Sequence, residues 1–301
     1  MITGTEITKD FDGLKALDEA TFTVESGSVY GLVGPNGSGK STLIRHIMGV
    51  FKQDKGELLV DGEPVYENPG VKVRMAYVPD EIYYTNSSTI VGMAGLYAGM
   101  YPKFDRERLK RLMGLFPELT DKLLFRKMSK GMQKQASVLL ALSCHADILI
   151  LDEPMDGLDP VARHTIWKVI MESVATEGTT VLVSSHNLRE LEDVCDHIGI
   201  MDHGKIVLER SFDELQDGFA KVTIAYQEEG EMPELGEGAK ILHKTSSGRM
   251  HTLILQGDRD TLETRIRETA PVFTEFMPLS LEEIFINELG GENDAIKDIL
   301  F

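Results

Sequence analysis

The chain has 301 residues, 42% of them hydrophobic, and a formal net charge of -18. That length and apolar content support a buried core and leave room for a main domain with an appendage, while the acidic balance argues against a general nucleic-acid binder, which needs clustered Lys and Arg. No window approaches the length of a membrane span and the N-terminus lacks the pattern of a signal peptide, so a cytoplasmic chain is expected.

Residues 1–33 read as antiparallel β, with strands at Ile2 to Thr8, Ala16 to Val24 and Val29 to Val33 separated by turn clusters. Phe11 lies on the first turn, where it can either offer a π-face to a purine or stand as an ordinary exposed aromatic. After the apolar run Val29-Tyr30-Gly31-Leu32-Val33 comes Gly34-Pro35-Asn36-Gly37-Ser38-Gly39-Lys40-Ser41-Thr42, and then a helical pattern from Leu43 to Met48. Strand, glycine loop and helix in this order make a phosphate cradle. The glycines let backbone N–H groups turn inward, and the helix N-terminus adds its positive dipole end. Lys40 is placed to reach the outer phosphates and the Ser41 hydroxyl to ligate Mg²⁺, with Thr42 as a further donor.

Gly56 to Gly62 reads as another hairpin arm and Arg74 to Pro79 as a buried strand, followed at once by Asp80 and Glu81. From about 80 to 146 the pattern becomes mainly helical, with helices expected at Ile90 to Tyr101, Asp105 to Phe116 and Gly131 to His145. Tyr83, Tyr84, Tyr97, Tyr101 and Phe104 give this insertion an aromatic cluster, which serves either as its core or as a partner surface. Asp147 to Pro154 is an apolar strand with Asp152 and Glu153 at its C-terminal end, the edge at which open α/β sheets place ligands. Asp152 suits a Mg²⁺ shell and Glu153 suits the polarisation of a water aimed at a γ-phosphate. A helix is expected at Pro160 to Ala175, and a strand at Thr179 to Val183 that delivers His186 to the same edge, where an imidazole can hydrogen-bond to developing negative charge. A helix at Leu188 to Cys195 and a hairpin from His197 to Leu208 follow. Cys144 and Cys195 have no metal-ligand spacing and read as reduced packing residues.

A composition shift near Gln216-Asp217-Gly218 divides the chain into an expected main domain, 1–216, and a small acidic α+β domain, 217–301. Residues 218–301 carry sixteen Asp and Glu against eight Lys and Arg. Strands are expected at about 220–226, 239–245, 249–255 and 272–276, with helices at about 259–269 and from Leu281 to Leu289. Glu228, Glu229, Glu231, Glu234 and Glu237 crowd one stretch that reads as a solvated loop.

Residues 1 to about 216 resemble the ATP-binding subunit of an ABC transporter. The resemblance rests on the glycine loop Gly34 to Thr42, the signature Ser129-Lys130-Gly131-Met132-Gln133, the carboxylate strand Leu151-Asp152-Glu153-Pro154, the D-loop Gly157-Leu158-Asp159 and the switch pair Ser185-His186, all in the family's order. It implies a P-loop ATPase of the ABC type: a RecA-like core, an antiparallel β subdomain and a helical subdomain, here with the C-terminal appendage. It implies Phe11 stacking on adenine and Glu153 acting as catalytic base. It further implies a head-to-tail dimer in which Ser129, Gly131, Gln133 and Asp159 of one subunit complete the ATP site of the other. The later part of the chain looks similar to bacterial export-type systems of the ABC-2 class, including those handling antibiotics, so a separate permease is expected to dock near 80–104 on the inner face of the membrane. Two places depart from the family: Asp80 stands where glutamine is usual, and in the signature Lys130 and Met132 stand where glycines are usual. A carboxylate at 80 can bind Mg²⁺ but repels a γ-phosphate without it. These departures also keep open a regulatory subunit that binds ATP and hydrolyses it weakly; a soluble ATPase acting on ribosomes or DNA fits less well.

Overall fold

Five consecutive buried residues, Val29–Val33 (β3), mark a strand covered on both faces, and such strands belong in the middle of a parallel sheet. The computed structural model describes residues 1–301 except 213, 215–217, 228–234, 237, 278, 282 and 285–301. It places β3 between β8 (Thr180–Ser185) and β9 (His197–Asp202), parallel to both. The sheet runs β10 (Lys205–Ser211), β9, β3, β8, β7 (Ile148–Asp152) and β6 (Met75–Val78). This corrects the expectation of antiparallel pairing for Val29 to Val33. Nearness in sequence suggested a meander, but a strand with no solvent face pairs with partners from far along the chain.

The antiparallel sheet is formed by β1 (Ile2–Phe11), β2 (Leu14–Val24), β4 (Lys55–Val60) and the short β5 (Glu63–Pro64), in the order β2-β1-β4-β5. Its apolar residues Ile2, Leu17, Phe22 and Val60 share one core with Leu43, Ile44 and Ile47 of α1 (Lys40–Ile47) and with Leu32, Ile150 and Leu182 of the parallel sheet. The helix that begins at the glycine loop is therefore held by both sheets. A short helix α2 (Pro69–Lys72) precedes β6.

The helical insertion holds α3 (Ile90–Met100), α4 (Arg106–Met113) and α5 (Lys130–Leu142), capped by the side chains of Thr89, Asp105 and Ser129. Its aromatic cluster divides. Tyr97 packs on Tyr101 and Phe104, and the Tyr101 hydroxyl donates to the Met75 carbonyl, whereas Tyr83 is 80% exposed. Arg108 of α4, itself buried, fastens the insertion to α6 (Pro160–Glu177) through Glu177 and the Ser173 hydroxyl, with His145 beside it. Arg108→Ala removes the bonds to Ser173 and Glu177, while Glu177 keeps His145 at 2.9 Å, so it should lower stability by about 1–2 kcal/mol, measured by urea unfolding with ATP absent.

Leu188 to Cys195, expected as a helix, is a 3₁₀ turn at Leu188–Glu190 followed by irregular turns. Glu190 is drawn out of a helical path by the Ser185 hydroxyl and by Arg163, and the backbone closes through tighter bonds such as Leu191 N–H to the Leu188 carbonyl. Both cysteines are buried and unpaired with one another, and burial pushes the Cys144 thiol up to about 12.

The chain divides into two units, Met1–Glu209 and Arg210–Phe301. The second contains a sheet ordered β12-β13-β11-β14, from β11 (Phe219–Ala225), β12 (Lys240–Ser247), β13 (Met250–Gln256) and β14 (Phe273–Met277). Leu262 and Ile266 of α7 (Arg259–Glu268) pack with Val222, Ile224, Leu253 and Leu255. The acidic run at Glu228, Glu229, Glu231, Glu234 and Glu237, and most of the closing helix expected from Leu281, lie outside the described residues. Among the described residues no helix is long and apolar enough to cross a membrane.

Candidate active site

Strand register decides which side chains meet. Val33 lies opposite Ser185, Asp152 opposite Ser184 and Val78 opposite Leu151, so β3, β8, β7 and β6 end on one edge of the sheet. Each strand then hands a different chemical group to that edge: the glycine loop after β3, His186 after β8, Asp152 and Glu153 at the end of β7, and Asp80 after β6.

The glycine loop is shaped by steric need. Gly39 caps α1 at φ 111, and a Cβ there would lie 2.8 Å from the Ala16 carbonyl oxygen. The loop folds over a Lys40 that is only 6% exposed, whose ammonium donates to the Gly34 carbonyl at 2.6 Å and the Pro35 carbonyl at 3.3 Å. Inside the same loop the Ser38 hydroxyl oxygen is buried with no hydrogen-bond partner. A cleft of about 410 Å³ opens above it, lined by Asn36, Gly37, Gly39, Lys40, Ser41, Thr42, Asp80 and Glu153, and on the far side by Leu14, Lys15, Ala16, His203 and Gly204.

The acidic side of the cleft is wired together. The Ser41 hydroxyl donates to Asp152 Oδ1 at 3.3 Å, and the Ser184 hydroxyl donates to the same oxygen at 2.6 Å while accepting from Glu153 N–H at 3.0 Å. Glu153 itself has φ 48, a left-handed conformation that costs energy for a side chain of this kind and turns the carboxylate out of line with the strand. One of its oxygens lies 3.5 Å from Lys40 Nζ and the other 2.9 Å from His186 Nδ1. A buried carboxylate held between an ammonium and an imidazole, at the mouth of a phosphate cradle, can orient a water and take its proton.

The remaining sequence-derived candidates stand outside this lining. Phe11 ends β1 at 39% exposure, with its ring edge-to-face against Phe51 at 5.4 Å; Phe51 in turn sits 5.6 Å from the His46 ring on α1. Ser129 accepts from Met132 N–H as the cap of α5. Gly131 follows in the first turn, and a Cβ there would lie 2.5 Å from the carbonyl oxygen of Gly157, so the signature and the D-loop meet backbone to backbone. The Gln133 amide turns inward and donates to the carbonyls of Phe125 and Met128 and to the Tyr84 hydroxyl. Asp159 accepts from the N–H groups of Val161 and Ala162 as the cap of α6.

Two residues of this site escaped the sequence reading, Ser184 and Lys134. Lys134 is 4% exposed and reaches the Asp80 carboxylate from α5. The available signal was a lysine in helical line with Val138 and Ala141, a charge on an apolar stripe.

Parallel strands ending together on a glycine loop, an antiparallel sheet sharing the core, and a helical insertion ahead of the carboxylate strand define an α/β P-loop ATPase of the ABC type. A family model described as ABC transporter matches residues 17–156. The chain is 30% identical over 292 residues to the ABC transporter ATP-binding protein YtrB of Bacillus subtilis, covering 97% of this chain and 99% of that protein. It is 28% identical to the bacitracin transport ATP-binding protein BcrA of Bacillus licheniformis, with 97% and 98% covered. A solved ATP-binding subunit of an ABC transporter superposes with a TM-score of 0.66 at 26% identity, over 72% of this chain and 92% of that one. The chain belongs to the ATP-binding proteins of ABC transporters, a family that hydrolyses ATP.

Proposed function

We propose that this chain is the Mg²⁺-dependent ATPase of an exporter, working as a head-to-tail dimer beneath a separate membrane permease. The observation that carries the ATPase assignment is Glu153, held between Lys40 and His186 at the mouth of the cleft. Lys40 exchanges its loop carbonyls for phosphate oxygens when ATP enters. Glu153 then orients the attacking water and accepts its proton, and His186 fixes the carboxylate and donates toward the γ-phosphate. Phe11, supported by Phe51, stacks on the adenine.

The donor set fits a hard divalent cation, because Ser41 and Asp152 offer oxygens 3.3 Å apart and Asp80 brings a carboxylate to the same cleft. When bound, Mg²⁺ neutralises charge on the β- and γ-phosphates. Ser41, Asp152 and Asp80 are the residues that would hold it.

The dimer reading rests on the separation of the two motif groups. Ser129, Gly131, Gln133 and Asp159 do not line the cleft that Lys40 and Glu153 line, so each chain carries two unfinished halves. Transport is supported by the relatives' names, one of which specifies bacitracin. Exposed Tyr83, Val91, Leu96 and Met100 give the 80–104 region an apolar surface on which a permease can dock, which would put the chain on the inner face of the membrane. Lys40→Ala and Ser129→Arg chains, each inactive alone, should regain ATPase activity on mixing, since one composite site per mixed dimer is intact. No gain on mixing would rule out shared sites.

A further inference from the structure

Lys134 is the most enclosed cation near the cleft apart from the glycine loop itself, and all of its bonding capacity is spent in one direction. Its ammonium has three donors, and they meet three oxygens: the Pro79 carbonyl at 3.3 Å, Asp80 Oδ1 at 3.1 Å and the Asp152 carbonyl at 3.2 Å. Two of these lie just after β6 and the third at the end of β7, while the lysine comes from α5. Asp80 is thus gripped from behind. Its side chain remains 53% exposed and lines the cleft, so the carboxylate faces a space shared with Asn36, Lys40, Ser41 and Glu153.

A carboxylate in that position poses an electrostatic problem. Asp80 and Glu153 would both present negative charge to a polyphosphate in the cleft they share, and like charges facing one space repel it. Glu153 is balanced by Lys40 and His186. Asp80 is balanced by Lys134. We propose that Lys134 is a positioning residue that neutralises and aims Asp80, allowing a carboxylate to occupy the γ-phosphate side of the cleft without repelling ATP before the cation arrives. The inference rests on the reading of the cleft as an ATP site. It also changes the expectation drawn from Asp80 alone, because the repulsion of a metal-free γ-phosphate is offset within the protein.

The test is equilibrium binding of a fluorescent ATP analogue, in EDTA and in Mg²⁺, to the full chain and three variants whose folding is checked by thermal melting. Lys134→Met should weaken binding in EDTA about tenfold and binding in Mg²⁺ less than threefold, because the unpaired Asp80 repels the more highly charged metal-free nucleotide. Asp80→Asn should bind the metal-free nucleotide at least threefold more tightly than the unaltered chain, since the lysine's charge is then uncompensated; this arm stands even if Lys134→Met fails to fold. The double variant Asp80→Asn/Lys134→Met should return metal-free affinity to within about twofold of the unaltered chain. Equal weakening in EDTA and Mg²⁺ without rescue in the double variant, or an unchanged Asp80→Asn, would overturn the proposal and reduce Lys134 to a packing role. Failure of the unaltered chain to bind the nucleotide under either condition would instead overturn the assignment of the cleft.

Discussion

A Glu153→Gln chain is expected to hydrolyse ATP at least ~100-fold more slowly than the unaltered chain, the usual contribution of a positioned general base, while binding ATP more tightly. The two effects share one cause. Glu153 lies 3.5 Å from Lys40 and competes with phosphate for the same ammonium. The carboxamide keeps the shape, removes the proton acceptor and releases the lysine. ATP should therefore bind and stay, and the variant should collect as an ATP-bound dimer. Single-turnover hydrolysis and light scattering on the gel-filtered complex read both outcomes. Retained turnover would remove Glu153 from its role, and a monomer at high ATP and protein concentration would count against the head-to-tail dimer.

Lys40→Ala should weaken ATP binding by more than ~100-fold, corresponding to about 3 kcal/mol for truncating one member of a desolvated, hydrogen-bonded charge pair. The magnitude follows from burial, because Lys40 is enclosed by its own loop. The fold should survive. Glu153 keeps His186 at 2.9 Å, so the stability loss is expected to stay near 1–2 kcal/mol. Calorimetric titration with Mg-ATP, paired with urea unfolding, separates the two quantities. Undiminished affinity would mean that phosphate is not held by this loop.

The phosphate chemistry was legible in the sequence because it is local. A strand, three glycines, a lysine and a hydroxyl must follow one another within a few residues to make an anion cradle, and a carboxylate pair at a strand end likewise announces itself. The four strands and the first helix of the C-terminal unit were also readable, since alternation and turn residues determine them over short distances. What depends on distant partners was not. The place of Val29–Val33 in a parallel sheet is set by Thr180–Ser185, some 150 residues later. Lys134 stands out in the sequence only as a charge on an apolar stripe, and its role waits until Asp80, 54 residues earlier, is brought against it. Phe11 could be recognised as an aromatic on a turn, but its edge contact with Phe51 belongs to tertiary packing. At Leu188 to Cys195 the apolar spacing does suit a helix, and the loss of that helix follows from the hydrogen bond and ion pair that capture Glu190.

The backbone approach of Gly131 to Gly157 carries a mechanical meaning. Gly157 lies four residues beyond Glu153 and Gly131 two beyond Ser129, so the loop that follows the proposed base and the helix that would clamp the opposite nucleotide meet backbone to backbone. In the proposed dimer each clamp is thereby geared to the base of its own chain. The two chains of that proposed dimer would then form a closed linkage, in which the departure of phosphate from one site is felt as a loosened grip on the other.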